Sequence, residues 1–193
     1  MSDFSVARIG AFDRVAGAAK ALVVEPGASA TRFVFRGKPA AQAAIVAAFG
    51  VSLPLEACRA AVVAERAALW LGPDEWLLIV EGSGAEDGRA EELFAGLEQA
   101  LAAIPHSLVD VSHRNVALKL SGPKAAAAIN TACPLDMSLA AFPIGMCTRT
   151  IFGKAEVIIW RTGADQFHLE TWRSLGAYLW GLIGEAQCEY GVL

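Results

Sequence analysis

Residues 109–137 read VDVSHRNVALKLSGPKAAAAINTACPLDM, and the way this stretch divides decides the fold. Val116 to Ser121 alternates apolar and polar residues with a period of two, the pattern of a half-buried strand. The next segment, GPKAAAAINTACP, has Pro123 near its first helical position and Pro134 at its end. Proline is tolerated in the first turn of a helix and cannot continue its interior, so a short helix is expected here. A polar turn, Ser112-His113-Arg114-Asn115, separates the strand from an earlier apolar one, Leu108 to Val111. The order is strand, polar turn, strand, helix.

The same order occurs earlier in the chain. LVVE (Leu22 to Glu25) precedes TRFVFR (Thr31 to Arg36), and GKPAAQAAIVAAFG follows from Gly37. Pro39 lies just inside its start and Gly50 just past its end, the usual asymmetry of helix termini. Downstream, LPLEA (Leu53 to Ala57) answers CPLDM (Cys133 to Met137), and ALWL-GPDE-WLLIV answers EVIIW-RTGAD-QFHLE. Each half closes on an amphipathic pattern, with Leu93, Phe94, Leu97, Leu101 and Ile104 on one face of the first helix. Trp172, Leu175, Leu179, Leu182 and Ile183 share a face of the second. Gly37 and Gly122 stand 85 residues apart, Pro54 and Pro134 80, Asp74 and Asp165 91. A drifting offset marks insertions and deletions within a duplicated unit of half the chain. We expect an N-terminal arm over 1–20, a first α+β unit over 21–105 and a second over 106–193. In each unit, helices pack on one face of an antiparallel sheet.

Hydrophobic residues make up 55% of the 193 and charged ones 19%, which excludes disorder. A mean hydropathy of +0.44 is high for a chain of this size and fits a subunit that hides a face against a partner. The net charge of −4, without a basic run, gives nucleic acid little to bind. MSDFSVARIGAFDRVAG carries an early Asp3 and no apolar h-region, so no signal peptide is expected. Charges interrupt every candidate membrane span. Cys58, Cys133, Cys147 and Cys188 are scattered and read as reduced thiols of a cytoplasmic protein.

Several apparent sites dissolve on inspection. Asp110, Ser112 and His113 are the residue types of a hydrolase triad, but neighbours on one strand point to opposite faces and cannot align as nucleophile, base and orienter. EGSGAEDGRAEE, from Glu81, follows a strand and opens a helix, yet its glycines at 82, 84 and 88 are one position too long for a dinucleotide fingerprint. Glu86 and Asp87 would also repel a pyrophosphate at the helix start. No C-x-x-C, H-x-x-x-H or H-E-x-x-H occurs among the cysteines and His106, His113 and His168. Cys133 and Cys147 flank a proline-containing connection that could bring them together, although a buried thiol is the commoner fate. The tryptophans at 70, 76, 160, 172 and 180 sit in apolar strands or on the apolar helix face and read as core.

VDVSHRNVALKLSGPKA, CPLDM, the pattern FPIG-C-T-T from Phe142 to Thr150, and WRTGADQFHLETWRSLGAYLW from Trp160 to Trp180 together resemble the gamma subunit family of heterotetrameric sarcosine oxidase. ALWLGPDEWLLI is similar as well, so the resemblance spans most of residues 20 to 184. That family is similar in fold to the folate-binding part of the glycine-cleavage T-protein. The resemblance implies two intertwined ferredoxin-like units and a role as a non-catalytic chain in an enzyme that oxidises sarcosine to glycine. Hydrogen peroxide is released, and the methyl carbon leaves as formaldehyde or is captured by tetrahydrofolate. It further implies alpha, beta and delta partner chains, with NAD, FAD and FMN in alpha and beta, zinc in delta and no cofactor in this chain. T-proteins carry a longer acidic turn near the pterin pocket. Here Arg161-Thr162-Gly163-Ala164-Asp165 lacks its Tyr-Thr-Gly-Glu portion, leaving Asp110, Arg161 and Asp165 as remnants of a folate pocket. Gly27-Ala28-Ser29 and Ser112 to Asn115 occupy equivalent places in the two units and are expected at a cleft or an interface. The alternative is a stand-alone folate-binding, aminomethyltransferase-like protein with Asp110 or Asp165 on the pterin.

Overall fold

The computed structural model describes residues 21–82 and 88–190. The expected arm over 1–20, and Gly84, Glu86 and Asp87 of the glycine-rich turn, lie outside them. The first half contributes β1 (Val23–Pro26), β2 (Ala30–Gly37), α1 (Pro39–Phe49), β3 (Ala60–Val63), β4 (Arg66–Gly72), β5 (Glu75–Glu81) and α2 (Arg89–Leu101). The second repeats the series as β6 (His106–Asp110), β7 (Asn115–Ser121), α3 (Ala125–Asn130), β8 (Cys147–Phe152), β9 (Ala155–Gly163), β10 (Gln166–Trp172) and α4 (Gly176–Tyr190).

Two antiparallel sheets result, ordered β6-β2-β5-β4-β3 and β1-β7-β10-β9-β8. Written this way the orders correspond strand for strand, and the two units are intertwined because each donates its first strand to the other's sheet. LVVE lies along β7, with Val24 opposite Leu120, while Leu108 lies opposite Phe35 of β2. The register confirms the duplication. Arg32 faces Ile79 across β2 and β5, and Ala117 faces Glu170 across β7 and β10, offsets of 85 and 91 already present in the sequence. The strands leading into β3 and β8 meet reciprocally at the Arg59–Met146 bridge. There Ala60 N donates to Gly145 O at 2.9 Å and Cys147 N to Cys58 O at 3.0 Å.

Helices cover the outer face of each sheet, giving an α+β arrangement of four layers. Ala41, Ile45 and Phe49 recur every fourth residue and bury one side of α1, which Gly50 closes at φ 80° by donating to Val46 O. They pack on Phe33, Phe35, Trp76 and Leu78. The second core sets Leu179 and Ile183 of α4 against Leu118, Leu120, Phe167 and Leu169. A third core lies between the sheets, where Leu69, Leu77 and Ile79 meet Cys147 and Ile158. Because β5 is buried on both faces it reads WLLIV without alternation. Gly27 lies in the crossing from β1 to β2 so close to β7 that a Cβ there would stand 2.5 Å from the Cβ of Ala117.

Three local expectations shift. The helix after Gly122 ends at Asn130, four residues before Pro134, because the Thr131 hydroxyl caps Ala128 O and the Asn130 amide turns to Leu135 O. Ile104 falls beyond α2, although it still packs on that core. Trp172 belongs to no helix: it ends β10, is 46% exposed, and precedes a single 3-10 turn over Arg173–Leu175. Of the five tryptophans, Trp76 alone is completely buried.

Candidate functional site

The two halves differ most on the faces their sheets turn toward each other. Alternation places Leu77 and Ile79 of β5 on that face, while the matching residues of β10 are His168 and Glu170. Both are buried, as is Arg32, which reaches them from β2. Arg32 Nε donates to both Glu170 oxygens at 2.8 Å, and its Nη1 donates to Ala30 O at 2.9 Å. His168 Nε2 lies 2.8 Å from Glu170 Oε1. Burial by itself would raise the Glu170 pKa, but the His168 hydrogen bond and the Arg32 charge outweigh it and hold the carboxyl below its ordinary range. Glu170 is therefore a carboxylate, an acceptor, so His168 Nε2 carries the proton and donates. The other ring nitrogen, Nδ1, is buried without a hydrogen-bond partner in the protein, 4.0 Å from Glu81 Oε1.

His168 lines a cleft of about 370 Å³ at one end of the inter-sheet face. Trp160, with its ring centroid 5.8 Å from that of His168, forms one wall, and Val62, Ala67 and Ile79 line another. Glu81 and Lys119 pair at 3.1 Å at the rim, both about 40% exposed in their side chains. Glu25 and Glu65 add two more carboxylates. Arg66 lines the cleft with its stem, but its guanidinium turns away to Phe49 O at 2.6 Å and lies over the Phe49 ring.

The opposite end holds the counterpart, a gap of about 20 Å³. By strand register Trp172 stands where Glu81 does, Val34 where Lys119 does and Arg149 where Val62 does. The Arg114 guanidinium covers the Trp172 ring at 5.7 Å, and Arg149 reaches across to Glu75 at 2.7 Å. The second end is filled.

Ser112 to Asn115 form the polar turn into β7. Arg32 N donates to Ser112 Oγ at 2.9 Å, Ser112 N to Asp110 Oδ1 at 2.8 Å and Arg114 Nε to Asn115 Oδ1 at 3.2 Å. Asn115 is buried and lines the small gap with Arg114; His113 is exposed. The three folate-pocket candidates are not brought together. Asp110 is exposed at the end of β6, and Asp165 is exposed on the β9–β10 turn of the other sheet. Arg161 is buried over the Phe167 ring, on the helix side, with its guanidinium donating to the carbonyls of Met137, Phe142, Gly163 and Ala164. Cys133 and Cys147 occupy different cores. Burial pushes the Cys147 thiol up to about 12. Among the described residues no three His, Cys, Asp or Glu gather as a metal cage, and no helix is long and apolar enough to cross a membrane.

Sequence reasoning passed over Arg32, Glu170 and the role of His168. The available signal was opposite charge at inward positions of two central strands, where burial forces pairing.

The sarcosine oxidase, gamma subunit family matches residues 36–189. Sarcosine oxidase subunit gamma of Arthrobacter sp is 38% identical over 155 residues, covering 78% of this chain and 72% of the relative. Its namesake in Corynebacterium sp. (strain U-96) is 34% identical over 153 residues, covering 78% and 71%. In structure, a chain of the heterotetrameric sarcosine oxidase from Corynebacterium sp. U-96, in complex with pyrrole 2-carboxylate, superposes with a TM-score of 0.83 at 29% identity. The match covers 92% of this chain and 89% of that one. The glycine cleavage aminomethyltransferase T of Bartonella henselae shares the fold, with a TM-score of 0.60 at 16% identity over 86% of this chain and 46% of that one.

Proposed function

This chain belongs to the sarcosine oxidase gamma subunit family, and from that premise we propose that it serves as the gamma chain of a heterotetrameric sarcosine oxidase, docking onto the chains that carry out the chemistry. The observation that carries this reading is the match of 92% of its length to a chain of such a complex at a TM-score of 0.83. In this reading its partners are alpha, beta and delta chains in a cytoplasmic complex. FAD, FMN and NAD reside in alpha and beta, zinc in delta, and tetrahydrofolate takes the methyl carbon there. The role of this chain is to offer surface. The Ser112 to Asn115 turn suits that role, because Arg114 and the half-exposed Trp172 form a cationic, aromatic platform, and the half-exposed Val109 of β6 lies opposite Val34 of the same gap. Arginine and tryptophan are the side chains that most often anchor such contacts. The engagement of Arg161 by four backbone carbonyls supports the subunit reading over stand-alone folate binding, since the guanidinium is buried on the helix side and its Nε and Nη1 donors are already taken.

A tagged pull-down from the native host, read by mass spectrometry and flavin absorbance, tests the proposal. Larger flavin-bearing chains should be recovered in equal stoichiometry, and Arg114→Glu should reduce that recovery. A colourless chain recovered alone would overturn the subunit role. Micromolar binding of a reduced folate by the lone chain, about −8 kcal/mol, would then favour the folate-binding alternative.

A further inference from the structure

Of the described arginines, Arg32, Arg36, Arg59 and Arg149 each hold a carboxylate, and Arg66 and Arg161 hold backbone carbonyls. Arg114 and Arg173 hold neither. Arg114 gives its Nε to the Asn115 amide, which leaves its Nη groups without an acceptor among the described residues. The exposed Arg173 side chain makes no hydrogen bond or ion pair with them at all. We propose that these two arginines form a docking pair for an acidic segment of a partner protein chain. The guanidiniums take its carboxylates, and its apolar side chains rest on the exposed part of the Trp172 indole. This inference rests on the subunit reading and adds to it the chemistry of the surface that meets this chain.

Three observations lead there. The first is placement: Arg173 N donates to Arg114 O at 2.7 Å, so the end of β10 is fastened to the turn before β7. Trp172 stands opposite Asn115 in the same register. Two cations and an indole are thus carried on paired backbone, and little ordering is left to do when a partner arrives. The second is that the carboxylates of this end are committed elsewhere. Asp110 accepts from Ser112 N, Glu75 and Glu156 face Arg149 at 2.7 and 3.9 Å, and Glu170 is held by Arg32. The third is charge complementarity. A guanidinium is a planar fork that matches a carboxylate with two donors, so unengaged arginines select an anionic group. The exposed His113 adds further donor capacity in the same turn. A nucleic acid would meet a chain of net charge −4, whereas an acidic protein segment meets only this local cationic surface. The exposed indole beside the arginines also favours a protein, since tryptophan and arginine recur together as interface anchors.

The test is a competition for places in the native host's complex. Wild-type and variant chains are co-expressed at equal levels, and the complex is purified through a tag on a larger flavin-bearing chain. Mass spectrometry then reads the ratio of the two. Arg173→Glu should enter about tenfold less often than the wild type, and Arg114→Glu with Arg173→Glu about a hundredfold less. Arg36→Glu reverses an exposed arginine already paired with Asp74 and should enter as often as the wild type. Should the double variant fail to fold, Arg173→Glu still decides, because that side chain is exposed and holds no other described residue by hydrogen bond or charge. Arg114→Lys with Arg173→Lys keeps both charges and offers amines to a water-soluble carbodiimide. An amide linking an introduced amine to an Asp or Glu of a partner chain should form. A flavin-bearing complex that never contains the wild-type chain would remove the subunit reading, and this inference with it. Equal entry of the Arg173→Glu chain, or equal exclusion of Arg36→Glu, would overturn the docking pair and leave the subunit reading standing. Cross-links confined to Asp110 or Glu156 of this chain would do the same.

Discussion

At one end of the inter-sheet face, Glu81, Lys119 and Val62 surround a cleft of about 370 Å³; at the other, Trp172, Val34 and Arg149 hold the equivalent positions and leave about 20 Å³. The backbones of the two ends correspond strand for strand, so topology cannot be the cause of the difference. Side chains at a few matched positions decide it: an indole fills where a carboxylate leaves room, and a valine closes where a lysine turns outward. The buried ion pair follows the same asymmetry. Arg32 and Glu170 have Ala117 and Ile79 as their structural mates, so each half places a charge where the other places hydrocarbon.

The largest effect should come from breaking that charge pair on one side only. Glu170→Ala leaves Arg32 buried without a counterion, and unfolding in urea should show a loss of about 3–5 kcal/mol. Copying the structural mates Ala117, Leu77 and Ile79 into the triad, as Arg32→Ala with His168→Leu and Glu170→Ile, removes the charges together. The triple variant should lie far closer to the wild type than Glu170→Ala does, since apolar replacement of a whole buried ionic group is often neutral or stabilising. A triple variant as unstable as the single one would mean that the triad itself, rather than its desolvation balance, holds the sheets together.

The same triad gives the chain an acid limb. The folded-state pKa of Glu170 is below its unfolded value near 4.5. Its contribution is thus fully present above about pH 4.5 and is lost as pH falls through the lower, folded value, where the folded state must also take up the proton. Urea midpoints measured from about pH 7 down to about pH 3 should fall more steeply for the wild type than for the triple variant. Parallel curves would show that other carboxylates set the acid limb.

Most of this architecture could be read from the sequence, and the part that could not has a physical reason. The repeat, the helix limits at Pro39 and Gly50 and the strand pairs were legible because each rests on local chemistry: alternation, proline and glycine. The 3.6-residue spacing puts Trp172 on a helix stripe, yet it lies in the strand before the helix; pattern alone does not mark where β10 stops. Arg32, His168 and Glu170 escaped notice because their meaning is non-local. Arg32 and Glu170 are 138 residues apart, and only the packing of one sheet on the other brings them together. Arg161 and Asp165 attracted attention by adjacency, but the hairpin turns the Arg161 side chain toward the helices.

Opening the closed end should cost less. Trp172→Ala removes an indole that is 46% exposed and covered by Arg114, so about 1–2 kcal/mol of apolar contact and cation–π attraction is at stake. A crystal structure of the variant should show the small gap widened toward the volume of its counterpart. A gap that stays shut would mean that Val34 and Arg149 close this end without the indole.

The smallest effect tests what kind of force holds the closed end. Arg149 reaches Glu75 of the other sheet at 2.7 Å, but its side chain is 38% exposed, so solvent screens the pair. Arg149→Met should therefore cost no more than about 0–1 kcal/mol, and less still in about 1 M salt. The cost of Trp172→Ala should barely change with salt, because burial of apolar surface is not screened. A salt-independent loss at Arg149 above about 1 kcal/mol would instead assign the aliphatic stem, packed in the gap beside Val157 and Ile158, the part here given to charge. The two ends would then differ in the volume of hydrocarbon each received after duplication.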